Sequence, residues 1–114
     1  MVTTVKGEWS SRRAGVDDGE LSPQRSQQLV NHSPDGFNWG YGGSGPTQLS
    51  LALLLLLFSE ENAVHLHHNF KWKYITTLPK GDFKLNSEQI NTVRKWMKKQ
   101  GVEVREDTIK LSRQ

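Results

Sequence analysis

The sequence predicts a single α+β domain, three helices flanked by short antiparallel strands. Three observations carry that prediction: a leucine-rich run over residues 49–58 between a helix-start and a helix-stop signal, a capped amphipathic segment over 86–101, and short alternating β-prone pieces near both ends of the chain. With 114 residues the chain is the size of one domain with one core. Hydrophobic residues make up 34% of it and charged residues 24%, which is polar for a globular chain but sufficient for a modest core.

Taken in order, residues 2–9 and the pair Glu20-Leu21 are β-prone. Between them lie Ala14-Gly15 and the turn signal Asp17-Asp18-Gly19, so the segment reads as a β-hairpin. Residues 25–30 then lead into Asn31-His32-Ser33-Pro34-Asp35-Gly36, where Pro34 and the Asp-Gly pair call for a turn and a compact loop. The first predicted helix follows, with Gly45 at N-cap, Pro46 at N1 and Gln48 at N3, and runs to about Phe58. Leucines cover nearly every side of it, the pattern of a helix buried all round and central to the domain.

Ser59 followed by Glu60 and Glu61 caps a second helix, expected to run to about Leu78 before Pro79. Winding it at 100° per residue places Ala63, Leu66, His67, Phe70, Tyr74, Ile75 and Leu78 on one arc, with His65, Trp72 and Thr76 opposite. Residues 82–85 are expected to be extended. Asn86 opens the third helix, with Gln89 at the capping-box position and Leu85 and Ile90 as a hydrophobic staple. Its apolar arc is Ile90, Val93, Trp96 and Met97, and Gly101 fits C′. Residues 102–104 and 108–111 alternate apolar and polar and read as a second hairpin, or one strand and a tail.

Several classes of function are excluded by composition. The chain has no cysteine, which removes disulfides, thiol catalysis and cysteine-ligated zinc. No apolar stretch follows a basic start as in a secretory signal, and the longest apolar run is too short to span a bilayer, so a cytoplasmic location without membrane contact is expected. The net charge of +3 is uneven: residues 60–114 hold 11 Lys or Arg against 7 Asp or Glu, and residues 1–59 hold 4 against 5.

The densest concentration of unusual residues is 31–48, where glycines 36, 40, 42, 43 and 45 interleave with Phe37, Trp39 and Tyr41 just before a helix N-terminus. Such a loop offers backbone N–H groups to an anion. It lacks the lysine of a P-loop and the spacing of a dinucleotide fingerprint, and the plainer reading is glycines that let Trp39 and Tyr41 lie against the first helix. Asn31, His32, Ser33, Trp39, Tyr41, Ser44 and Gln48 are the candidate binding residues of this loop. A nucleophile and base at His32 and Ser33 would need a geometry that adjacent residues rarely reach, and His32 or Asn31 hydrogen-bonding the loop backbone is the plainer account. In the histidine cluster, the helical wheel leaves only His65 and His68 able to share an ion, so no metal and no cofactor is expected. Arg94, Lys95, Lys98 and Lys99 form a basic face on the third helix, suited to phosphates or to an acidic protein surface, though such faces are often merely solvated.

The run Asn31-His32-Ser33-Pro34-Asp35-Gly36-Phe37-Asn38-Trp39-Gly40-Tyr41-Gly42-Gly43-Ser44-Gly45-Pro46-Thr47-Gln48-Leu49-Ser50-Leu51-Ala52 resembles an uncharacterised family of small proteins found in bacteria, archaea, plasmids and phages. Asn69-Phe70-Lys71-Trp72-Lys73, Leu78-Pro79 and Leu85 are similar to the same family's second block, so the resemblance covers about residues 31–90. The clustered histidines of 65–68 are not part of that pattern. The resemblance implies an accessory role on a mobile element, and names no activity.

The expected function is a non-catalytic binding protein of a phage or mobile element that occupies a surface of a protein or nucleoprotein complex, an inhibitor of a CRISPR-type defence complex being one form. A small basic nucleic-acid-binding protein and a small enzyme or anion-binding domain built on the glycine loop are the alternatives. The sequence leaves the oligomeric state open.

Overall fold

A computed structural model describes residues 2–17 and 19–102. The fold is α+β, as the sequence predicts. A four-stranded antiparallel sheet comprises β1 (Val5–Glu8), β2 (Arg13–Val16), β3 (Gly19–Leu21) and β4 (Phe83–Leu85), in the order β3-β2-β1-β4. The helices are α1 (Gln24–Leu29), α2 (Ser44–Leu57), α3 (Glu60–Phe70) and α4 (Ser87–Lys99), and a π-helical turn, Lys71–Ile75, extends α3.

The sheet is amphipathic by alternation. Val5, Ala14 and Val16 face the core while Lys6, Glu8 and Arg13 face out. The expected N-terminal hairpin is in fact a three-stranded meander, because residues 13–16 are a strand rather than a turn, paired with β1 on one side and β3 on the other. Val5 opposite Leu85 and Gly7 opposite Phe83 then bring β4 in from the far end of the chain. Asp17 fastens this corner: its Oδ1 accepts the N–H groups of Thr3 and Thr4 at 3.0 and 2.9 Å and the Thr3 hydroxyl at 2.7 Å.

The leucine-rich helix is the second, since the short α1 precedes it, so the described residues hold four α-helices where three were expected. Every residue of α2 from Gly45 to Leu57 is buried, as its unbroken apolar surface requires. It begins earlier than expected, with Gly43 at N-cap: the Gly43 carbonyl accepts both the N–H and the hydroxyl of Thr47. Pro46 thus falls within the first turn, where its missing N–H leaves no bond unmade.

The α3 cap forms as predicted, Ser59 accepting from the Asn62 N–H. The second expected helix is α-helical only to Phe70. Beyond that the Thr76 N–H reaches back to Lys71 O, five residues away, at 3.0 Å. In α4, Asn86 and Gln89 complete a reciprocal capping box, and Gly101 takes a left-handed φ of +79° after Gln100. Ile90, Val93 and Met97 are buried, with Trp96 at the core's edge. The second hairpin expected over 102–111 lies, after Val102, outside the described residues.

Candidate functional site

Residues 31–48 cross between the sheet and the helices, and a single buried glutamine organises their first part. Gln48 projects from the first turns of α2 with no exposed surface. Its Oε1 accepts the N–H groups of His32 and Ser33 at 2.7 and 3.0 Å. Its Nε2 donates to Ser26 Oγ at 2.9 Å and to Val30 O at 3.1 Å. The side chain's carbonyl and amide therefore pair with four polar groups of the loop and α1. The expectation that His32 or Asn31 serves the loop backbone is corrected: Gln48 serves it, and Asn31 is exposed. The α1 residue Gln27 adds a bond from its Nε2 to Ser33 O at 2.9 Å.

Trp39 is fully buried, in the same core cluster as the leucine helix. It meets the sheet side, edge-on to Phe83 at 4.9 Å and to Trp9 at 5.8 Å between ring centroids, and its Nε1 donates to Gly81 O at 2.8 Å. A ring with no free surface is unavailable to a ligand, so Trp39 is a core residue and not a binding residue.

Tyr41 and Trp72 are different. They are 44% and 62% exposed, and each stands on a glycine. A Cβ at Gly42 would come within 2.6 Å of the Trp72 ring, and one at Gly43 within 2.4 Å of the Tyr41 ring. The glycines therefore provide flat seats for two outward-facing aromatic side chains, an arrangement that no requirement of the core explains. Trp72 is carried by the π-helical turn, a local departure from α-helix that is frequent at functional sites. Lys71 Nζ lies 4.5 Å from the Trp72 ring centroid, and Gly40 N–H ties the loop to Ile75 O at 3.1 Å. Ser44 is exposed beside them.

The histidines are arranged otherwise than the helical wheel suggests. His65 is exposed and outside the cluster, whereas His67 and His68 have ring centroids 4.3 Å apart, and His32 joins them from the loop. His32 Nε2 is 3.0 Å from His67 Nε2, while His67 Nδ1 is 2.7 Å from Val64 O and 3.2 Å from Ala63 O. A carbonyl only accepts, so Nδ1 of His67 carries its proton and Nε2 presents a lone pair to His32. One donor ligand atom from each of the three side chains falls within 4.8 Å of the others. The expectation of His65 with His68 as the sole possible pair is thereby corrected, because the third imidazole comes from 35 residues away and ring reach offsets the angle around the helix. His32 thus turns to His67 and not to the Ser33 hydroxyl, and Ser33 is buried.

Both His32 and His67 titrate below the ordinary value of 6.5. Burial is the main cause in each, reinforced by the charge of His68 and, for His32, of Lys71. Because the unfolded chain then binds more protons than the folded one, these groups contribute stability that is complete above pH 6.5 and lost as pH falls through their folded values. Unfolding midpoints measured from pH 7.5 down to 5 should decline, and decline less in His32→Asn. A flat profile would contradict the neutral histidine pair.

On the basic face of α4, Lys95, Lys98 and Lys99 are exposed, whereas Arg94 is half-buried. Its Nη2 donates to Val2 O at 2.7 Å and its Nη1 to Asn91 Oδ1, so this guanidinium secures the start of the chain instead of facing a partner. A cleft of 480 Å³ between the π-helical turn and α4, and one of 620 Å³ on the outer face of the sheet, both lie away from His32 and Ser33. No helix among the described residues is long and apolar enough to cross a membrane.

No curated protein and no solved structure matches the chain. A family model does match, over residues 5–99, so the first three strands lie inside the family region. The chain is a member of that family, described as a family of unknown function, DUF6166.

Proposed function

We propose that the protein is a non-catalytic binding protein that engages a macromolecular partner, a protein or nucleoprotein complex, through the face carrying Tyr41 and Trp72. The observation that carries this reading is the pair of glycine seats beneath two exposed aromatic rings. Exposed aromatics on a rigid base supply large contact area at small entropic cost, and Trp and Tyr are the side chains most enriched where binding energy concentrates. The exposed Lys73 and Lys80, close to Trp72 in the chain, favour an acidic surface on the partner. The resemblance to proteins of phages and plasmids suggests one concrete form, an accessory factor that blocks a host defence complex.

The test is affinity capture from the native host with and without nuclease, using wild type and Trp72→Ala. A stoichiometric protein partner should survive nuclease, and Trp72→Ala should weaken its binding by about 10-fold or more, the effect of losing one energetic anchor. Recovery of nuclease-sensitive material alone would instead favour the exposed lysines of α4 acting on nucleic acid. A partner held equally well by Trp72→Ala contradicts the assignment of this face.

A further inference from the structure

We propose that His32, His67 and His68 form a binding site for a divalent transition-metal ion, with zinc the best match to the donor set. The site is independent of the Tyr41–Trp72 face and uses different side chains. Three imidazoles, each with one ring nitrogen within 4.8 Å of the others', are a donor set of intermediate softness with no carboxylate among them, which favours zinc, copper or nickel over magnesium or calcium.

Two of the three ligands are already held in place. His67 is buried, and its Nδ1–H bond to Val64 O fixes the tautomer that leaves Nε2 free to ligate, the same outer support that histidine ligands of metals generally have. His32 is positioned through its backbone, whose N–H is held by Gln48. Their Nε2 atoms are 3.0 Å apart, close to the roughly 3.3 Å separation across a tetrahedral zinc with bonds of about 2.0–2.1 Å. His68 is exposed and can swing inward to close the set, leaving the fourth position to water. Without an ion, His32 Nε2–H donates to the His67 lone pair. On metal binding the His32 proton moves to Nδ1 and both Nε2 atoms face the ion, so the neutral imidazoles release no net proton. The nearby Lys71 ammonium opposes the added charge and limits affinity.

The experiment uses the full chain without an affinity tag, treated with chelator and titrated with zinc chloride and, separately, cobalt chloride. Calorimetry should give one equivalent of zinc, and cobalt should develop the visible bands of a tetrahedral site. Replacing the exposed ligand, His68→Ala, should weaken zinc binding at least about 10-fold, the scale on which even an outer-shell partner matters, and His32→Ala should do the same. His65→Ala should leave affinity unchanged. Nitrogen NMR of the histidine rings supplies a readout that a packing role would not move: zinc should shift the His32 proton from Nε2 to Nδ1. Absence of one-equivalent binding overturns the proposal. So does zinc affinity unaffected by His32→Ala and His68→Ala, or reduced as much by His65→Ala.

Discussion

Gln48→Leu should destabilise the chain by about 3–4 kcal/mol, since each buried polar group left unpaired costs about 1–3 kcal/mol. The leucine fits the volume but accepts and donates nothing. The N–H groups of His32 and Ser33 would lose their acceptor, and Ser26 Oγ and Val30 O their donor, where water has little access. Against a typical total of 5–15 kcal/mol this is a large fraction. Because the same amide places His32, the variant should also lose metal affinity under conditions where it remains folded. Urea denaturation measures the first effect. A loss below about 1 kcal/mol would mean that the loop satisfies itself by another route.

Trp39→Ala is expected to cost about 3–5 kcal/mol, the range for removing a large aromatic side chain from a core. The ring is fully buried, joins β4 through Phe83 and the strand-end residue Trp9, and fixes the turn before β4 through Gly81 O. Trp39→Phe retains most of the apolar contact but leaves that carbonyl without its donor, so a smaller loss of about 1–2 kcal/mol is expected. Denaturant midpoints of the two variants check the order. Equal losses would assign the effect to the hydrogen bond alone, and no loss would contradict the burial.

The contrast between Trp39 and Trp72 marks the limit of sequence reading here. Both stand in motif segments rich in aromatics; helical winding places Trp72 opposite the apolar arc, as found, but nothing local marks Trp39 as the ring that holds the sheet to the loop. What was legible depended on neighbours in sequence. Asn86 with Gln89, and Ser59 with its two glutamates, identify helix starts because a cap is satisfied within one turn. The unbroken leucine surface of α2 identifies a buried helix for a similar reason. The missed elements depend on distant partners: Arg13–Val16 contains a glycine and becomes a strand only between β1 and β3, and Gln24–Leu29 has no apolar stripe and is held largely through Ser26 and Gln27.

The candidate site follows the same rule. The glycine and aromatic loop announced itself by composition, but the role of its glycines as seats for Tyr41 and Trp72 required Trp72 to return from another helix. Gln48, expected among the binding residues of the loop, is buried and bonds the loop backbone and α1 instead. The histidine cluster was misread because a helical wheel records only directions from one axis, while the third imidazole approaches from the loop. Arg94 likewise belongs to the basic face by periodicity and to the Val2 carbonyl in space.

The central claim, that Tyr41 and Trp72 are exposed for binding and not for stability, is tested most directly by one paired measurement on the Tyr41→Ala, Trp72→Ala double variant. Its unfolding free energy and its affinity for the captured partner are measured side by side. The account predicts a stability change within about 0.5 kcal/mol, as for surface positions, together with a loss of partner affinity of about 10-fold or more. Unchanged affinity, or a loss of stability comparable to that of Trp39→Ala, would contradict it.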